Sequence, residues 1–185
     1  GESGFANVTV RLLDDSGTEV DSTTTDGNGF YLFDNLTPAD YSLEFVLPSG
    51  YAPARRDQGG DDGLDSDPNR FTGQTIVTTL DPDENDLSWD MGLVQVASVG
   101  DRVWYDSNGN NVQDGGELGA TGVTVRLLDS SGTTTLFTDT TDSNGIYGFN
   151  DLPPDDYIVE VVRPTGFIFS IADQGGDDTV DSDVN

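Results

Sequence analysis

The chain has 185 residues, 35 acidic against 7 basic, and a formal net charge of −28; this balance argues against nucleic acid and anionic membrane surfaces and favours bound cations. Every basic residue is Arg, and Lys, His and Cys are absent, which excludes disulfides and thiolate sites and removes the usual zinc, copper and iron ligands. Oxygen remains, the donor of a hard cation; the excess of Asp with no Lys also fits a salt-adapted source.

Taken in chain order, Val8, Val10 and Leu12 alternate with Thr9, Arg11 and Leu13, the period-two pattern of a half-buried strand. Further strands are predicted at 30–33, 41–47, 74–80 and 87–94, then at 99–105, 123–127, 134–140, 146–149 and 157–163. Turn clusters separate them, among them Asp14-Asp15-Ser16-Gly17, Asp26-Gly27-Asn28-Gly29 and Asp142-Ser143-Asn144-Gly145. No segment carries a long 3.6-period apolar face. Short strands between turns predict an all-β sandwich fold. The residues show neither a signal-peptide pattern nor a transmembrane run, so no membrane insertion is expected of this segment. A leader removed from a longer parent is compatible with that.

The chain repeats itself at an interval of about 115 residues, a whole domain rather than a solenoid turn. Asn7-Val8-Thr9-Val10-Arg11-Leu12-Leu13-Asp14 returns as Gly122-Val123-Thr124-Val125-Arg126-Leu127-Leu128-Asp129, and Asp65-Ser66-Asp67 returns as Asp181-Ser182-Asp183. Two domains are therefore expected, at 1–96 and 97–185, joined without a flexible Gly/Ser tract and closely coupled. On this alignment the first copy lacks the N-terminal strand and the loop that follow Ala97 in the second. The second copy lacks the C-terminal strands that the first has at 70–94. A trimmed piece explains this, and so does completion by neighbouring repeats or identical chains through β-strand addition.

The most informative motif is Asp106-Ser107-Asn108-Gly109-Asn110-Asn111-Val112-Gln113-Asp114-Gly115-Gly116-Glu117. It fits the EF-hand calcium loop at every position but one. Asp106, Asn108 and Asn110 stand at loop positions 1, 3 and 5, and Val112 offers a backbone carbonyl at position 7. Asp114 stands at position 9 and Glu117 at position 12, where a bidentate carboxylate closes the shell. The departure is Asn111 in place of Gly, and Asn tolerates the left-handed conformation better than most residues. Two Asn ligands lower the loop charge, so moderate affinity is expected.

A second acidic cluster occurs in both copies: Asp57, Asp61, Asp62, Asp65 and Asp67 match Asp173, Asp177, Asp178, Asp181 and Asp183. Carboxylates this dense repel one another unless a cation or solvent screens them, and calcium is the expected occupant. Asp26 and Asp142 precede Asn-Gly pairs typical of hairpin turns; they are candidates to complete a site begun by the acidic loops.

Gly100-Asp101-Arg102-Val103-Trp104-Tyr105-Asp106, the loop to Glu117, Gly122-Val123-Thr124-Val125-Arg126-Leu127, Asp142-Ser143-Asn144-Gly145-Ile146-Tyr147-Gly148-Phe149 and Leu152-Pro153-Pro154-Asp155-Asp156-Tyr157 together resemble the B-type repeat of serine–aspartate repeat surface adhesins. Trp89-Asp90-Met91-Gly92-Leu93 resembles that repeat's closing strand. The resemblance implies two tandem Ig-like or prealbumin-like β-sandwiches stabilised by Ca2+ and displayed outside the cell. Many related sandwiches carry a Lys–Asn isopeptide bond, which a chain without Lys cannot form, so calcium must do the cross-linking.

The favoured function is thus a calcium-binding structural repeat of an extracellular adhesin, stalk or filament. The alternative is an accessory domain that binds carbohydrate or protein through Tyr31, Tyr41, Tyr51, Trp89, Trp104 and Tyr105. An enzyme is not expected: only carboxylate pairs could do acid–base work, and here the carboxylates crowd Gly-rich turns instead of facing one another across a cleft.

Overall fold

The computed structural model describes residues 3–58, 60, 61, 63–174, 176, 177 and 179–184. Eleven strands run in the order β1 (Thr9–Asp14), β2 (Glu19–Thr24), β3 (Ala39–Phe45), β4 (Tyr51–Pro53), β5 (Thr78–Leu80), β6 (Leu93–Gln95), β7 (Ala97–Arg102), β8 (Thr124–Asp129), β9 (Thr135–Thr140), β10 (Ile146–Leu152) and β11 (Tyr157–Val161). The described residues contain no helix, so none is long and apolar enough to cross a membrane. Two compact units form: Gly1–Ala97 with Asp151–Pro154, and Ser98–Asn150 with Asp155–Asn185.

In the first unit, β2-β1-β3-β5 make one sheet and β4-β6 a second. Strands β1–β2, β1–β3, β3–β5 and β4–β6 pair antiparallel. The β1–β3 register sets Val10 opposite Phe45 and Leu12 opposite Leu43. Side chains on one face of a strand recur at every second residue, so Val8, Val10, Leu12, Leu43 and Phe45 bury together, with Tyr41. Tyr31, Phe33, Leu36, Leu80, Trp89, Met91 and Leu93 pack against that cluster. The closing segment 89–93 therefore roofs the core.

The second unit repeats the centre of this plan. Its three-stranded sheet is β11-β8-β9, with a separate pair β10-β7. Val125 lies opposite Val161 and Leu127 opposite Val159. Even the irregularity recurs, between Leu12 and Leu13 in the first unit and between Leu127 and Leu128 in the second. The pair Arg11–Glu44 at 2.9 Å returns as Arg126–Glu160 at 3.0 Å; the first is half-buried and the second exposed, and such solvent-accessible pairs contribute little to stability.

Several predicted strands change on folding. Residues 30–33 form no ladder, whereas the matching Ile146–Leu152 is strand β10 beside β7. A strand needs a partner for its N–H and C=O groups, and no described segment lies beside 30–33 as β7 lies beside β10. The predicted strand 87–94 keeps a ladder only from Leu93, and 74–80 only at Thr78–Leu80, with a single bridge between Gln74 and Glu44. Strands β2 and β4 were not expected. Nearly all of β2 is exposed, so no apolar alternation marks it.

Candidate metal centre

The acidic loop of the first unit starts from a tight backbone frame. Asp57 adopts φ 54°, in the left-handed region, and Arg56 and Ser66 form a parallel bridge in which Asp57 N–H donates to the Ser66 carbonyl at 3.2 Å. Gln58 folds back and donates from Nε2 to the Arg56 carbonyl at 2.9 Å. Asp61 closes the tip, its carbonyl accepting from Leu64 N–H at 3.1 Å. Within this frame Asp57, Asp65 and Asp67 bring one carboxylate oxygen each to within 4.8 Å of one another. Among the described residues, they are the only three acidic side chains so arranged. Arg56 Nε lies 3.1 Å from Asp57 Oδ2 and offsets part of the charge. Asp61 is not in the trio, and Asp62 lies outside the described residues.

The geometry fits calcium. An ion that takes six to eight oxygens at roughly 2.3–2.6 Å keeps any two ligand oxygens within about 5 Å. Three carboxylates also satisfy its preference for hard, anionic donors.

A second grip holds this loop from the closing segment. Asp90 N–H donates to Asp67 Oδ2 at 2.7 Å, Asp67 N–H to the Asp90 carbonyl at 3.1 Å, and Gly92 N–H to Ser66 Oγ at 3.3 Å. Beside it, Asp57, Asp67, Asp86, Ser88 and Trp89 help line a cavity of about 210 Å³. Tyr31 donates its hydroxyl to the Trp89 carbonyl. Burial, then the charges of Asp67, Asp90 and Asp86, push its phenol well above the ordinary value.

The second unit builds the same loop backbone. Asp173 has φ 55°, Ala172 bridges Ser182 in parallel, and Asp173 N–H donates to the Ser182 carbonyl at 3.1 Å. Gln174 Nε2 donates to the Ala172 carbonyl at 3.0 Å. Asp177 accepts from Thr179 Oγ1 and N–H, which hold its carboxyl below the usual range. Yet Asp173, Asp181 and Asp183 do not converge as their counterparts do. Asp178 lies outside the described residues.

This loop is gripped from another direction, by the EF-hand-like loop. Val112 bridges Asp181 antiparallel, Gln113 N–H donates to the Val180 carbonyl at 2.6 Å, and Ile171 N–H donates to Asn111 Oδ1 at 3.0 Å. Asn111 takes φ 65°, so it adopts the left-handed turn that Gly makes in the pattern.

Inside the EF-hand-like loop the predicted ligands turn towards one another. Asp106 accepts from Gly109 N–H at 2.8 Å and Asn111 N–H at 2.9 Å. Glu117 is buried; its Oε1 accepts from Ser107 N–H and Oγ, and its Oε2 from Asp114 N–H. Asn108 and Asn110 each aim Nδ2 at Asp114 Oδ2 at 2.7 Å. Their oxygens accept backbone N–H groups of Asn110 and Val112. The positive ends of two amide dipoles thus stand opposite Asp114, and both amides must rotate to present oxygen to a cation. Asp106, Asp114 and Glu117 do not meet the spacing of the Asp57 trio.

Asp26 and Asp142 close turns. Asp26 Oδ1 accepts from Asn28 and Phe30 N–H, Asp142 Oδ1 from Asn144 and Ile146 N–H. The Ile146 and then Asn144 bonds lower the Asp142 pKa. Neither belongs to the trio. The aromatic candidates mostly serve packing: Tyr41 is buried, Tyr31 stacks edge-on against Phe33 and Phe45, and Tyr105 packs on Phe167.

Four contributors went unnoticed in the sequence: Gln58, Gln174, Asp90 and Arg102. The Gln pair recurs in both copies, which was a usable signal. Arg102 donates to the carbonyls of Glu117 at 2.6 Å and Asn144 at 3.0 Å, and its role depends on contacts that no local pattern encodes.

The profile of the SdrD B-like domain family matches residues 1–93 and again 97–185. Serine-aspartate repeat-containing protein F of Staphylococcus epidermidis is 40% identical over 182 residues, covering 98% of this chain and 11% of that protein. Serine-aspartate repeat-containing protein D of Staphylococcus aureus (strain Newman) is 39% identical over 181 residues, covering 98% of this chain and 13% of that protein. The chain therefore spans only about a tenth of the length of these curated relatives. A streptococcal ancillary pilin aligns over 98% of this chain and 56% of its own at 16% identity and TM-score 0.32, a likeness that carries no argument. The doubled profile match and this kinship show that the chain belongs to the SdrD B-like domain family.

Proposed function

We propose that the chain is a calcium-stiffened structural repeat of an extracellular adhesin, stalk or filament, made of B-type repeats at 1–96 and 97–185. The convergence of Asp57, Asp65 and Asp67 on one point carries this reading. It is supported by the EF-hand-like loop, where Asp106, Asp114 and Glu117, with Asn108, Asn110 and the Val112 carbonyl, supply the oxygens of a second site. Asp173, Asp181 and Asp183, which stand apart in the ion-free chain, would be drawn together by a third ion.

The chain's composition explains why it needs metal. With neither Cys nor Lys, disulfides and Lys–Asn links are unavailable, and −28 charges repel one another. A cation bound only by the folded state stabilises it by mass action and relieves that repulsion. Neighbouring repeats would then be linked by strand addition. Isothermal titration of the metal-free chain with CaCl2 tests the reading. Saturable uptake with a melt that rises in calcium supports it; no uptake at low ionic strength overturns it.

A further inference from the structure

Three Asn–Gly pairs occur in the chain: Asn28-Gly29, Asn108-Gly109 and Asn144-Gly145. In such a pair the Gly nitrogen can attack the Asn side-chain amide, because Gly has no Cβ to obstruct the approach and rotates freely. Two of the pairs are locked. Gly29 N–H donates to the Asp26 carbonyl and Gly145 N–H to the Asp142 carbonyl, each at 3.0 Å, so each nitrogen faces a neutral peptide group. Both turns are also wedged against backbone. A Cβ on Gly4 would sit 1.7 Å from the Asn28 carbonyl oxygen, and one on Gly119 1.9 Å from that of Asn144. Arg102 Nε donates to the same Asn144 carbonyl at 3.0 Å. Ring closure needs the Asn–Gly peptide to rotate, and these contacts oppose it.

Asn108-Gly109 differs on each count. A Cβ on Gly109 would meet nothing within 4 Å, so this peptide has room to turn. Gly109 N–H donates to a carboxylate, Asp106 Oδ1, at 2.8 Å. Asn108 Oδ1 accepts from Asn110 N–H at 2.9 Å, and Asn108 Nδ2 donates to Asp114 Oδ2 at 2.7 Å. The attacking nitrogen therefore faces a base, and the oxygen that gains negative charge on attack already faces a donor.

We propose that Asn108-Gly109 is a self-modifying link that deamidates through a succinimide in the ion-free loop, and that a bound cation protects it. Gly109 N attacks Asn108 Cγ and passes its proton to Asp106. The N–Cγ bond forms, the Cγ–Nδ2 bond breaks, and the amide nitrogen takes up that proton and leaves as ammonia. Water then opens the ring. Addition at Cγ gives Asp; addition at the backbone carbonyl carbon gives isoaspartate, whose main chain runs through Cγ. In sum, amide and water become acid and ammonia, with no change of oxidation state. Isoaspartate lengthens the main chain inside the loop, so Asn110, Val112, Asp114 and Glu117 lose their register with Asp106. Loading the loop turns the Asn108 amide over and engages Asp106, which removes both groups that assist the attack. A chain kept without calcium thus loses this site irreversibly. The protection rests on the calcium reading above; the deamidation does not.

The test incubates the 185-residue chain at neutral pH in chelator, in calcium, and in urea with chelator. Its proteolytic peptides are assayed by mass for deamidation and for isoaspartate. In chelator Asn108 should convert on the order of tenfold faster than Asn28 and Asn144, whereas in urea the three should convert alike. Calcium should slow Asn108 several-fold and leave the other two unchanged. Asp106→Asn should slow Asn108 in chelator. After ageing in chelator, calcium uptake measured by calorimetry should fall in step with isoaspartate. Conversion of Asn108 no faster than the other two in the folded chain, the same order persisting in urea, or indifference to Asp106→Asn overturns the self-modifying link. Equal rates in calcium and chelator, while calorimetry shows uptake by fresh chain, overturn the protection alone. Selective conversion of Asn108 in a chain that takes up no calcium supports the link and sinks both the protection and the calcium reading.

Discussion

The backbone N–H of Asp90 donates to the Asp67 carboxylate at 2.7 Å, and Asp67 N–H donates back to the Asp90 carbonyl at 3.1 Å. This reciprocal pair ties the closing segment to the acidic loop before any ion is considered. A hydrogen bond to a charged group contributes about 1.5–3 kcal/mol. Asp67→Ala should therefore destabilise the chain by roughly that amount in chelator. Among the described residues no segment grips Asp183 in this way, so in this chain the matched change Asp183→Ala should cost within about 0.5 kcal/mol. Urea unfolding of both variants without calcium checks the contrast; equal losses would show that the pair contributes nothing.

Calcium removal should lower the melting temperature. Free calcium at about a hundred times the dissociation constant adds ~2.7 kcal/mol per site. For a unit of about a hundred residues that corresponds to roughly 10–20 °C. Calorimetric scans with and without chelator at low salt measure it, and coincident scans would refute calcium stiffening.

Glu117→Gln should weaken one calcium site roughly tenfold or more, by removing charge worth at least ~1.4 kcal/mol at the position that closes the shell. The amide retains an oxygen for the Ser107 N–H bond but turns its NH2 towards Asp114 N–H, so stability in chelator should also fall, by about 1–3 kcal/mol. Titration calorimetry that returns an unchanged calcium isotherm would remove Glu117 from the ligand set.

Gly119→Ala should be severe. A Cβ there would sit 1.9 Å from the Asn144 carbonyl oxygen, on backbone that cannot swing aside. A cost of roughly 1–3 kcal/mol is expected for such overpacking. Gly27→Ala meets nothing within 4 Å and should stay within about 0.5 kcal/mol. Thermal melts of the pair decide whether this close approach is real.

Asp129 should titrate well below an ordinary Asp. Its hydrogen bond with the Ser131 hydroxyl, reinforced by Thr134 and Thr133, pulls its pKa from 3.8 down to about 2. A folded-state pKa below the unfolded one means that the group stabilises the fold above about pH 4, and that this contribution is lost as the pH falls towards 2. A carboxyl-carbon NMR titration should place the midpoint near 2 in wild type and higher in Ser131→Ala, where Thr134 and Thr133 still hold it below the ordinary value. A wild-type midpoint close to 3.8 would contradict the turn geometry.

The core strands were legible because they are half-buried. Val8, Val10 and Leu12 alternate in the chain as they alternate between core and surface, and the repeat prints the same pattern at Val123, Val125 and Leu127. Strand β2 was not legible: Glu19–Thr24 is exposed and polar, and its ladder comes from β1 alone. Residues 30–33 misled for the opposite reason. Their apolar alternation marks a strand, but hydrogen bonding to a neighbour makes one.

The site divides in the same way. The residue order by itself determined an oxygen-only chemistry, a recurring acidic loop and a left-handed turn at Asn111, because side-chain type and backbone tolerance are local properties. Only the tertiary structure decided which carboxylates meet. Asp57, Asp65 and Asp67 converge where Asp90 grips Asp67, whereas the equivalent loop, bridged instead by Val112 at Asp181, leaves its carboxylates apart. Two nearly identical loops take different arrangements because a cluster of like charges has no preferred shape of its own; the segments packed against it supply the donors that select one.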